Sequence, residues 1–147
     1  MMSGQHPDIE FVPLVNEPFV LACRRDHELA ERSSVTWSEL SDYRLIGVGR
    51  LSGNRMLLDH ALSGLSWRPQ WFYEVQHLST SLGMVEAGLG VSAMPSLAMP
   101  AADHPTLVSV PLTEPVVNRT LGLVSRRGAS LSPAAEKFVS ILLEQWH

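Results

Sequence analysis

Two short polar clusters carry side chains whose types and spacing point to chemistry. The first, residues 49–54, reads Gly-Arg-Leu-Ser-Gly-Asn and lies between an apolar run of strand character and a run with helical spacing. Strand, glycine-containing loop and helix start, in that order, present free backbone N–H groups and the positive end of a helix dipole, a cradle for a phosphate or carboxylate. Arg50 or Arg55 offers a charge partner for such an anion. The second cluster, Gln76 and His77, follows another apolar run, and in a parallel sheet it falls on the same side as Gly49. Two strand ends converging on one crevice is how open α/β sheets bind small molecules. The plainer alternative is a polar turn that caps a helix, the commoner fate of a Ser/Gly/Asn cluster.

Other chemistry finds little support. The six histidines (His6, His27, His60, His77, His104 and His147) never fall within four residues of one another, and Cys23 has no second cysteine, so neither a metal site nor an internal disulfide is expected. Gly47, Gly49 and Ser52 imitate a dinucleotide loop but lack its third glycine. Ser92, in Gly90-Val91-Ser92-Ala93-Met94, lacks the second glycine of a nucleophile elbow and sits inside an expected strand, so core packing explains it better. Cys23, after Leu21 and Ala22, reads as a buried thiol in a strand. No cofactor is implied.

Composition limits the rest. The 147 residues are 45% hydrophobic and 18% charged, ordinary for a globular protein able to bury one core or two small lobes. A net charge of −4 and a single lysine, Lys137, argue against this stretch gripping nucleic acid itself. No run approaches the ~18 apolar residues of a membrane span, and no secretory signal pattern opens the chain, so a cytoplasmic location without membrane contact is expected.

The elements that must position the clusters follow from periodicity. Residues 1–8 read as a poorly ordered lead-in; 9–15 and 19–23 read as extended stretches punctuated by Pro13 and Pro18. Thr36 with Glu39 forms a capping box before a short helix ending near Asp42. Strands are expected at 44–48, 71–75, 91–94, 107–111 (edge-like) and 120–125 (buried), with helices over 55–62 and 80–87 and from Ser132–Pro133 through Trp146. Gly88 suits the left-handed residue that closes a helix, Gly90 opens the next strand and Pro95 ends it, a tight αβ joint of a parallel sheet.

In this order the pieces resemble the effector-binding domain of LysR-type transcriptional regulators, the LysR substrate-binding domain. The resemblance runs through Glu17-Pro18-Phe19-Val20-Leu21, Asp26-His27-Glu28-Leu29-Ala30, Trp37 to Leu40, Tyr43 to Val48, Val85 to Pro95, Arg119-Thr120-Leu121-Gly122-Leu123-Val124 and Leu131-Ser132-Pro133-Ala134-Ala135. Glu28 stands where the family often has proline. The resemblance implies an α/β, periplasmic-binding-protein-like fold, here one complete lobe, an open sheet flanked by helices, plus part of a second. Residues 1–22 would be a lead-in and remnant of lobe I with the first crossing strand. Residues 23–116 would form lobe II, and 117–147 the return crossing and C-terminal helix of lobe I.

By the same resemblance the chain senses a small-molecule effector for a DNA-binding regulator and is not an enzyme. The winged helix-turn-helix, and the upstream part of lobe I that supplies half the effector pocket, would lie outside it, and the intact regulator would be a dimer or tetramer. Position after the matching strands assigns Gly49, Arg50, Ser52, Gly53, Asn54, Gln76, His77 and Leu78 to the effector pocket, with Arg50 and His77 favouring an anionic or carboxylate effector. An exposed apolar face on Phe138, Ile141, Leu142 and Leu143 is expected to make the chain self-associate. The rival reading is a free-standing solute-binding lobe for a small anionic metabolite; a small α/β enzyme lacks a converging nucleophile and base.

Overall fold

The computed structural model describes residues 7–146. His6 and His147, and the first six residues of the lead-in expected over residues 1–8, fall outside them. The chain divides into two compact units, residues 18–119 and residues 1–17 with 120–147.

The larger unit is a sheet with helices on both faces. Its strands are β1 from Phe19 onward (β1 spans Ile9–Arg24), β2 (Val35–Thr36), β3 (Leu45–Val48), β4 (Trp71–Val75), β5 (Val91–Pro95) and β6 (Leu107–Thr113), in the order β2-β6-β1-β5-β3-β4. β3 runs parallel to both β4 and β5, whereas β1 pairs antiparallel with β5 and β6. Strand alternation sends Leu45 to one face and Ile46 to the other. Leu45 joins Trp37, Leu40, Leu58 and Leu62, which places helix α1 (Gly53–Ala61) on that face. Ile46 meets Val85 and Leu107 on the opposite face, under helix α2 (Leu78–Glu86). From β3 the chain moves through α1 to β4, then returns through α2 past β3 to β5. The strand order thus reverses at β3, the kind of place where open α/β sheets hold ligands.

Local signals placed several elements. Thr36 caps the 3-10 helix Trp37–Asp42, its hydroxyl accepting from the Glu39 amide while the Glu39 carboxylate accepts from the Thr36 amide at 2.9 Å. Gly88 has φ +84 and closes α2, with its N–H on Val85 O and that of Leu89 on Met84 O. Ser92 is buried and donates to Ile46 O at 2.8 Å, and Cys23 is wholly buried.

Other expectations need correction. β1 is one 16-residue strand rather than two. Pro18 precedes the first rungs with β5 and β6, so its missing donor costs no bond in those ladders. Pro95 ends β5 as expected, but Pro111 lies inside β6; they are the terminal partners of Phe19 and Val20 at the start of the β1 ladders. α1 and α2 each start two residues earlier than their apolar spacing suggests, because first-turn positions face away from the core.

The smaller unit contains the first half of β1, strand β7 (Asn118–Arg126, which pairs with β1) from Thr120 onward, and helix α3 (Pro133–Trp146). Arg127 ties down Pro7 and Asp8, its amide donating to Asp8 O at 2.8 Å and its Nε to Pro7 O at 3.0 Å, so these two residues are not a loose lead-in. Ser132 caps α3 through Ala135 N at 3.1 Å. β7 is half-buried at best rather than buried, and α3 buries no residue fully. Phe138 and Ile141 are 61% and 49% exposed, while Leu142 and Leu143 are half-buried.

Candidate ligand-binding site

Parallel pairing of β3 and β4 sets Val48 opposite Val75, and the Gly49 amide continues the ladder by donating to Val75 O at 2.9 Å. Both strands therefore end at one rim. There Gly49, Arg50, Leu51, Ser52 and Gln76 line an open groove of about 440 Å³. Ser52 N donates to Gly49 O at 2.9 Å, folding the loop into a turn, and Ser52 is the N-cap of α1.

Arg55 fixes the helix to the strand end. It is only 8% exposed, donates to Val48 O at 3.2 Å, pairs with Asp59 and Glu74 at 3.2 and 3.4 Å, and lays its guanidinium 4.8 Å from the Trp71 ring centre. Trp71 in turn packs on Gly47, where an added Cβ would stand 2.5 Å from its ring. Arg55 is thus consumed by the scaffold, and the expectation that it could serve as an anion partner is corrected. Arg50, by contrast, is exposed and forms no ion pair among the described residues.

The caps are the chemical feature of this rim. Neither Ser52 at α1 nor His77 at α2 makes a side-chain cap hydrogen bond, so the first-turn amides of both helices lack that partner. First-turn amides without a side-chain cap, the positive end of α1 and the exposed Arg50 guanidinium suit an oxyanion.

Four of the eight expected residues, Gly49, Arg50, Ser52 and Gln76, come together in the groove. Gly53 and Asn54 form the first turn of α1, and His77 and Leu78 open α2 beside it in sequence rather than lining the groove. Leu51, which composition gave no reason to choose, lines the groove at 95% exposure. Its signal was the apolar residue stranded in an otherwise polar loop.

A second cavity, about 380 Å³, opens at the opposite end of β3 and β5 and includes Arg24, His27, Asp42 and Arg44. Arg24 is already paired with Asp26 and donates to Glu86 O, capping the C-terminal end of α2. A negative helix end beside Asp42 makes this a poor anion site.

The family described as the LysR substrate binding domain matches residues 1–147, the whole chain. The chain belongs to that family. It is 58% identical over 146 residues to the uncharacterised HTH-type transcriptional regulator YbhD of Escherichia coli (strain K12), covering 99% of this chain and 46% of YbhD. Against the dual regulator OxyR of the same strain the identity is 32% over 136 residues, 89% of this chain and 43% of OxyR. The chain therefore spans about half the length of these curated relatives. Among solved structures, the effector-binding domain of QuiR in complex with shikimate superposes with a TM-score of 0.77 at 27% identity, over 97% of this chain and 67% of that one. The reduced form of OxyR matches with a TM-score of 0.66 at 29% identity, over 92% and 62%. The LysR-type fold, α/β and periplasmic-binding-protein-like, accounts for the elements above. No helix among the described residues is long and apolar enough to cross a membrane.

Proposed function

We propose that the LysR-family groove at the ends of β3 and β4 takes a small carboxylate effector, and that this chain is the effector-sensing part of a DNA-binding regulator. The observation that carries the ligand class is the meeting, in one groove, of Arg50 with the N-terminus of α1, which has no side-chain cap. The relatives named as transcriptional regulators support the role, and the shikimate complex of QuiR supports a carboxylate. DNA reading would belong to a segment beyond these 147 residues, and catalysis to none of them.

The division at 17/18 and 119/120 supports reading residues 23–116 as lobe II, with 1–22 and 117–147 belonging to lobe I and the two crossings. A cytoplasmic, homo-oligomeric regulator fits this role. Effector binding would then act by population shift, favouring one arrangement of the regulator over another.

The test is an amide-resolved NMR titration of the chain with a panel of small carboxylates, shikimate first. Shifts concentrated at Gly49, Arg50, Ser52 and Gln76, with affinity reduced about tenfold or more by Arg50→Ala, are expected from the loss of one charge-assisted hydrogen bond. Binding by none of the panel, or binding indifferent to Arg50→Ala, overturns the reading.

A further inference from the structure

One hydrogen bond joins residues 65 positions apart at the edge of this site. Arg119 Nη1 donates to Asn54 Oδ1 at 3.0 Å. Asn54 is the second residue of α1, two after the groove residue Ser52. Arg119 is the last residue of the larger unit, and Thr120 already belongs to the other. The second place where the chain passes between units, at Pro18, lies beside it, because Phe19 N donates to Val117 O at 2.8 Å.

We propose that the Asn54–Arg119 bond is the link that passes occupancy of the groove to the crossing strands. This rests on the effector reading above and adds its means of regulation. Asn54 then acts as a positioning residue, since its side-chain oxygen is already engaged by a guanidinium. α1 is only nine residues long and is clamped to Val48 O by Arg55, so an anion drawn to its first turn displaces a short rigid body rather than a loose loop. A charge-assisted bond is directional, and a shift of Asn54 Oδ1 is felt by Arg119 at the exit from the unit. The two groups meet through tertiary structure alone, which connects the first turn of α1, two residues from the groove, to the crossing.

A cycle that needs no effector tests the link. Ser52→Asp puts a fixed carboxylate at the N-terminus of α1, as a bound anion would. Amide exchange is then followed at residues 19–21 and 117–119 in four chains: the parent, Ser52→Asp, Asn54→Ala and the double variant. Ser52→Asp is expected to change exchange there about threefold, the scale of a charge at a helix end, in the parent but not when Asn54 is alanine. Asn54→Asp, which keeps the acceptor, retains the response. Protection at Val91–Pro95 reports the intact fold, and if Asn54→Ala loses it, Asn54→Gln, whose amide is displaced by one methylene, takes its place in the cycle. Equal effects of Ser52→Asp with and without Asn54, or no effect at 117–119, overturn the link. If Arg50-dependent carboxylate binding accompanies an additive cycle, the link alone falls; a coupled cycle without carboxylate binding removes the ligand reading instead.

Discussion

The Cys23 thiol lies in β1 with no exposed surface, and desolvation pushes its pKa up to about 11. At pH 7 only about one thiol in ten thousand is then ionised, and the thiolate is the reactive form. Several relatives are named hydrogen peroxide-inducible activators, yet this thiol is poorly placed to meet peroxide. Millimolar peroxide should leave Cys23 unmodified by intact-mass measurement until the chain is unfolded. The same shift gives an alkaline signature. The folded chain keeps a proton that an unfolded thiol, titrating near 9.0, has released, so stability falls as pH rises from about 9 to about 11. Urea melts across that window should lose at most about 3 kcal/mol from this group, and Cys23→Ala should remove its share of the slope, leaving the part from Tyr43, whose pKa the Glu28 hydrogen bond pushes up. Arg55 shows the limit of reading single residues. Its sequence neighbours Ser52, Gly53 and Asn54 suggest a ligand-facing cation, but Val48 O, Trp71 and Glu74 come from other segments and draw it into the scaffold.

Elements whose cause is local were legible in the sequence. The Thr36–Glu39 box, the Gly88 closure and the Ser132 cap are each set by a few adjacent residues, and each appears where its spacing puts it. The groove was half legible for the same reason. Gly49 and Gln76 follow strands recognisable by their apolar runs, whereas the inclusion of Leu51 depends on how the loop turns. What depends on distant partners was misread: β7 is as apolar as a buried strand, but its burial is decided by what covers it. The α2–β5 joint separates two local effects. Gly88 sits at φ +84 in open space, so Gly88→Ala should cost about 1–2 kcal/mol from left-handed backbone strain alone. At Gly90 an added Cβ would run into the backbone carbonyl of Arg44, which cannot move without disturbing the Val91 N to Arg44 O bond at 3.0 Å. Gly90→Ala should therefore lower Tm more than Gly88→Ala in the same buffer, and the reverse order would show that the joint tolerates displacement of Arg44.

At the scale of the whole molecule the two units differ in what holds them together. Both hydrophobic core clusters of the described residues lie between Phe19 and Val117, inside the larger unit. The smaller unit has a two-strand pairing and a 14-residue helix with no fully buried residue, and it presents Val124, Leu131, Phe138 and Ile141 to solvent. Apolar surface of this kind seldom stays bare on a soluble chain, since each large side chain removed from water is worth about 1.5–3 kcal/mol. A second copy is available at any concentration and meets the same face in a symmetric contact. Sedimentation velocity from micromolar to millimolar chain should therefore show mass increasing with concentration. Phe138→Glu, which sets a charge in the middle of the exposed helix face, should return the chain to monomer without altering the protection of Val91–Pro95 in the other unit. A parent chain that remains monomeric at millimolar concentration would show that this face is satisfied without a second copy, and the self-association reading would then be abandoned.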